Sequence, residues 1–92
     1  MKIRYRAQAL ADLGSIHEHI AQTNRFAAQK TVERLHKTIQ RLKVFPHSGR
    51  AGAVDGTREL ISPGLPYIIV YRLEDEFADI VAVMHGAKRR GS

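Results

Sequence analysis

Cysteine is absent from this 92-residue chain. That excludes a disulfide scaffold, a thiol nucleophile, an iron–sulfur cluster and a cysteine-based zinc site. Long apolar runs are absent too. Nothing approaches the roughly 18–20 residues that span a bilayer, and Met1-Lys2-Ile3-Arg4-Tyr5-Arg6 does not read as a signal peptide. No membrane partner is expected, and the chain reads as cytoplasmic. The nine Asp and Glu are few and scattered, so hydrolysis by paired carboxylates finds no support. Gly49, Gly52 and Gly56 have no strand-to-helix frame around them and make no phosphate-binding loop. Ser15, Ser48 and Ser62 lie outside any nucleophile-elbow sequence. His17 and His19, two apart on a helix, point to different faces, and His36, His47 and His85 lack companions at ligand spacing. No metal or other cofactor is expected.

What the chain has in excess is positive charge. Fifteen Lys and Arg give a net +6 and a pI near 10.2. Such a surface attracts polyanions: nucleic acid, a ribosome or an acidic protein. With 43% apolar and 26% charged residues, the composition is that of a globular protein. The length supports a single domain over residues 1–92, one that buries only about 60–65% of its unfolded surface.

The hydrophobic period changes along the chain. Ile3 and Tyr5 alternate with Lys2, Arg4 and Arg6, as in a short strand with one basic face. From about Ala7, the residues Leu10, Leu13, Ile16 or His17, and Ile20 fall on one helical stripe. Thr23-Asn24 is a natural break and cap. Ala28, Val32, Leu35, Ile39 and Leu42 then mark a second helix, spaced four, three, four, three. So short a break predicts an antiparallel helical hairpin, and Pro46 stops the second helix.

Residues 47–57 read as a loop. Three strands are expected after it: Arg58-Glu59-Leu60-Ile61, a central one over 65–73, and one over 77–85 that alternates less cleanly. Glu74-Asp75-Glu76 separates the last two as a hairpin loop. The fold class is therefore α+β: an N-terminal strand, an antiparallel helical hairpin, then a three-stranded antiparallel meander, with helices on one face of a mainly antiparallel sheet.

One chemistry fits the residue inventory, metal-free cleavage of RNA. It needs a base near the 2′-hydroxyl, a cation over the phosphate and an acid for the leaving oxygen. His85, Tyr67 or Tyr71, and the cations Arg50, Arg58, Arg72, Lys88 and Arg89 are candidates. An aromatic residue such as Tyr71 is more commonly a half-buried part of a strand. His85, at a strand end, suits either a hydrogen-bonded structural role or a functional one. The stripe Arg34, Lys37, Arg41 on the second helix reads most simply as a solvated face.

The segments Ala11-Asp12-Leu13, Pro46-x-x-Gly49-Arg50, Arg58-Glu59-Leu60, Tyr67-Ile68-Ile69-Val70-Tyr71-Arg72 and Val83-Met84-His85-Gly86-Ala87-Lys88-Arg89 resemble, in order and over nearly the whole chain, the RelE/ParE superfamily of type II toxin–antitoxin toxins. The resemblance implies that superfamily's fold and a growth-inhibiting toxin. It also implies a cognate antitoxin whose acidic tail would bind the toxin in a hetero-oligomer. RelE-like members cut mRNA in the ribosomal A site, whereas ParE-like members poison DNA gyrase. RelE-like toxins typically carry an arginine three residues before the tyrosine of the central strand. That position here is Ile68, which cannot hold a phosphate. Arg72 lies on the same strand face but roughly 13 Å further along.

The resemblance thus favours the ParE-like branch: gyrase inhibition, plasmid stabilisation, and a protein that is not itself an enzyme. Tyr67, Ile69 and Tyr71 share one face of the central strand, and Ile68, Val70 and Arg72 share the other. The helix pair can cover only one face, so the other is expected to be closed by a partner or left as a groove rimmed by Arg50, Arg58, Arg72, Lys88 and Arg89. These residues, with His85, are the candidates for target or phosphate binding. The alternative is a metal-independent, ribosome-dependent mRNA endoribonuclease using His85, Tyr71 and Arg72. A second alternative is an inactive toxin-fold protein that only binds an antitoxin.

Overall fold

A computed structural model describes residues 1–86. The chain runs β1 (Lys2–Tyr5), α1 (Ala7–Ala21), α2 (Arg25–Gln40), a 3-10 turn (Arg41–Lys43), β2 (Arg50–Ala51), β3 (Arg58–Ile61), β4 (Tyr67–Glu74) and β5 (Phe77–His85). The break between the helices is where the sequence puts it. Asn24 has extended backbone angles, and its side chain accepts from the Ala27 amide at 3.0 Å, capping α2. The other end of α2 differs from the simple proline stop. The α-helix finishes at Gln40 and tightens into the 3-10 turn, which buries Leu42 before Pro46 is reached.

The sheet has five strands in the order β1-β5-β4-β3-β2. The meander β3-β4-β5 is antiparallel, as expected, and β1 joins it parallel to β5, pairing Lys2 with Phe77 and Tyr5 with Ile80. The span 47–57, read as loop throughout, contains the two-residue strand β2, which pairs Arg50 with Glu59. So short an edge strand leaves no periodic signal to read. The β4–β5 turn is tighter than expected, because Glu74 pairs with Phe77. Asp75 there takes φ 53, a left-handed angle that aspartate tolerates better than most residues.

The imperfect alternation of β5 has a definite cause. Val70 pairs with Ala82 while Tyr71 pairs with Ile80, so Val81 is an extra residue, a β-bulge. Ala78 and Ile80 before the bulge, and Val83 after it, therefore all reach the same core.

That core lies between the helices and one sheet face. Ala9, Leu35, Ile39 and Leu42 meet Tyr67, Ile69, Tyr71, Ala78, Ile80 and Val83. Burying a leucine or isoleucine side chain is worth about 1.5–3 kcal/mol, so Leu35, Ile39 and Leu42 each help to hold the layers together. Among the described residues, no helix is long and apolar enough to cross a membrane.

Candidate functional site

The helices cover one face of the sheet, and the expectation is a groove on the other rimmed by arginines. The structure corrects this, because the chain fills most of that face itself. Arg4 of β1 and Arg6 just after it reach across to Asp79 of β5, with Arg4 Nη2 at 2.9 Å and Arg6 Nη2 at 3.2 Å from Oδ2. Asp79 is 1% exposed. The hydrogen bond from Arg4, assisted by Arg6 and opposed by burial, holds its carboxyl at about 2. Glu74 joins the same network, and the Arg4 guanidinium lies 4.1 Å from the Phe77 ring centroid. Lys2 pairs with Glu76.

At the other edge, the loop after β2 folds over the face. The Ala53 amide donates to buried Glu59 at 3.1 Å, and Arg50 lies 3.8 Å from the same carboxylate. Arg72 reaches the Asp55 carbonyl beside Gly56. Among the described residues, a short apolar strip runs beside these networks where Ile61, Ile68 and Met84 meet in register, with Ile61 exposed and Ile68 buried.

The cations singled out from the sequence therefore do not rim one groove. Arg50 and Arg72 share the open face. Arg58 pairs with Tyr71 on the helix side, where it donates to the Gly49 carbonyl at 2.9 Å. His85 pairs with Tyr67 at the far end of β4, about 17 Å along the strand from Arg72. The two rings meet edge to face at 5.6 Å. Lys88 and Arg89 lie outside the described residues.

Tyr71 is fully buried, rather than half-buried. Its hydroxyl donates to the Pro46 carbonyl at 2.7 Å and accepts from the Gly49 amide at 2.9 Å. A hydroxyl committed to two backbone groups and shut from solvent is no acid or base for RNA, which corrects the trio His85, Tyr71, Arg72. The contact instead explains the spacing Pro46-x-x-Gly49. A Cβ on Gly49 would lie 2.6 Å from the tyrosine oxygen, so only glycine lets the loop close on it.

Two carboxylates carry structural weight. Asp12 of α1, visible in the sequence only as part of Ala11-Asp12-Leu13, accepts from the Val83 amide at 2.9 Å, just where β5 runs beyond the end of β1. Asp79 is the other, and its signal in the sequence is a lone acid within an apolar strand. Between α1 and this part of β5 lies an open cleft of about 710 Å³, lined among others by Asp12, His19, Tyr67, Met84 and His85. Among the described residues, no group of three or more His, Cys, Asp or Glu could hold a metal ion.

Comparison with known proteins agrees with this architecture. Residues 3–90 match a family described as the ParE toxin of type II toxin-antitoxin system, parDE. The chain is 37% identical over 84 residues to Y4kP of Sinorhizobium fredii, covering 91% of this chain and 86% of that protein. It is 33% identical over 81 residues to toxin RelE2 of Caulobacter vibrioides, covering 88% and 90%. Among solved structures, a chain of the chromosomal ParDE system of P. aeruginosa superimposes with a TM-score of 0.84 at 23% identity, over 92% of this chain and 95% of that one. YafQ of E. coli matches more loosely, with a TM-score of 0.53 at 16% identity over 96% of each chain. With its fold, its ordered motifs and a family match over almost its full length, the chain belongs to the ParE toxin family of type II toxin–antitoxin systems.

Proposed function

We propose that the protein inhibits growth by poisoning DNA gyrase and that a cognate antitoxin with an acidic tail neutralises it. The observation that carries this reading is the state of the central strand. Ile68 stands where RNA-cleaving relatives would place an arginine and is 8% exposed, while the Tyr71 hydroxyl is consumed by the loop backbone. Cleavage of RNA needs a cation at the phosphate and titratable groups around the 2′-hydroxyl. Here Arg72 lies near one end of β4, while His85 of β5 stands opposite Tyr67 at the other end and on the other face.

Gyrase poisoning makes no such demand. It requires a surface that stabilises the cleaved DNA–enzyme state, to which exposed cations contribute electrostatically. Arg50, Arg72, Lys88 and Arg89 remain the candidates for that contact. The acidic antitoxin tail would fold on this basic protein, burying apolar surface as well as pairing charge.

Purified protein added to gyrase tests the reading. Loss of supercoiling with accumulation of cleaved DNA is the expected result, and no effect at micromolar protein sinks it. Codon-positioned cleavage of ribosome-bound mRNA, abolished by His85→Ala, would replace it with the endoribonuclease reading. Intact antitoxin binding without toxicity would leave only a sequestering role. Charge reversal of Lys88 and Arg89 together should weaken toxicity while leaving thermal melting unchanged. A small open reading frame is expected beside the gene, and coexpressing its product should restore growth.

A further inference from the structure

Four cations on one side of the second helix lie outside the core that joins the layers. Lys30, Arg34, Lys37 and Arg41 recur at i, i+4, i+7 and i+11 along α2 and the turn that continues it, so they form one row on the helix surface. The row is about 16 Å long, all four residues are exposed, and they face away from the seam of Ala28, Leu35 and Ile39. None of the four lies within ion-pair distance of a carboxylate among the described residues. Glu33, the acid of this helix, accepts from Gln29 instead. Arg34 is held in place by its bond to the Pro63 carbonyl at 2.7 Å, which fixes the guanidinium without neutralising it. At the N-terminal end of the row, the Lys30 ammonium lies over the ring of Phe26, which is 70% exposed.

We propose that this row is a binding surface for the phosphate backbone of duplex DNA, a role separate from any contact with gyrase. Three features choose this occupant. A protein-binding face needs an apolar centre depleted of charge, and this one has charge at its centre and Phe26 only at its end. Protein–DNA interfaces are polar and strongly positive, as this row is. A straight, rigid row of cations also matches a regular row of phosphates, which rise about 3.4 Å per nucleotide along one strand. Single-stranded RNA is bound by aromatic stacking platforms, whereas this row carries one ring, Phe26 at its end, and that ring already lies under the Lys30 ammonium.

The test uses the full-length chain and a fluorescent 25-base-pair duplex, titrated at several salt concentrations without gyrase. The variant Lys30→Gln/Lys37→Gln/Arg41→Gln spares Arg34 and its bond to Pro63. Removing three phosphate contacts should make the slope of log K against log salt shallower by about 2.7. Lys30→Arg/Lys37→Arg should keep the slope, and all variants should melt with the wild type. Several outcomes overturn the proposal: no binding by the wild type at low salt, an unchanged slope in the glutamine variant, or tighter binding of duplex RNA or polyglutamate. The last of these would assign the row to an acidic protein. Because gyrase is absent from the assay, its result is independent of the gyrase reading.

Discussion

Two sets of cations lie on opposite sides of the molecule, and the fold treats them differently. Lys2 and Arg4 on β1, and Arg6 just after it, are all paired with acids of the β4–β5 hairpin. Lys30, Arg34 and Lys37 on α2, and Arg41 at the start of the turn that continues it, pair with none among the described residues. In the sequence both look like the basic face of an amphipathic segment. The difference arises from pairing across distant parts of the chain: β1 lies beside β5 and so faces Asp79, 75 residues away from Arg4. Positive composition is therefore a poor guide to where positive potential is available. On β1 the charge holds strands together, and on α2 it is left for a partner.

The largest effect should come from the side of α2 that faces inward. Ile39→Ala should cost roughly 2–5 kcal/mol, because Ile39 is fully buried in the main core. Denaturant melts should show it, with toxicity lost through unfolding. If the cost were below 1 kcal/mol, α2 would be a loosely docked helix and its outer row would have no fixed geometry. Tyr71→Phe should come next, at about 1–3 kcal/mol for leaving the Gly49 amide and the Pro46 carbonyl without the hydroxyl. Faster amide exchange at Gly49 would identify the loop as the part released.

Asp79→Asn sharpens the β1 side of the comparison. Its effect should be smaller than burial alone suggests, because the Arg4 and Arg6 side chains are about half exposed and solvent screens them. The pH dependence is the better readout. Asp79 ionises at about 2 in the folded protein, below the ordinary carboxylate value of about 3.9. Its contribution is therefore complete above about pH 4 and is lost as pH falls towards 2. Melting temperature should drop over that window in the wild type, and more shallowly in the variant. The smallest effect should belong to the outer row itself. Lys30→Gln, Lys37→Gln and Arg41→Gln should each change stability by less than about 0.5 kcal/mol. A larger loss would show that the row works for the fold, as β1 does, and would erase the contrast.

Much of the fold could be read from local pattern. The four-three spacing of α2, the Asn24 cap and the β-branched run of β4 each carry their own evidence within a few residues. The parallel pairing of β1 with β5 was not legible, since it depends on residues more than 70 positions apart. Nor was the bulge at Val81, which appeared only as a blurred alternation. The site was less legible still. Periodicity places Arg58 and Arg72 on a strand, but it cannot show that Arg58 turns to Gly49 on the helix side while Arg72 faces Asp55. The Pro46-x-x-Gly49 spacing was visible as a motif, whereas its purpose required seeing the tyrosine hydroxyl inside it.

Asp12 has a consequence for how the protein keeps to itself. β1 ends at Tyr5, opposite Ile80, so the last five residues of β5 run on with one flank unaccompanied by a strand. An uncovered flank of this kind is a template on which another chain can polymerise. Here the Val83 amide is already taken by the Asp12 carboxylate, and α1 stands beside it. An intruding strand would have to expel an anion and shift a helix before forming its first ladder bonds. One acid thus acts as a gatekeeper against runaway self-assembly, and Asp12→Ala should be recognised by turbidity on concentration before any loss of fold.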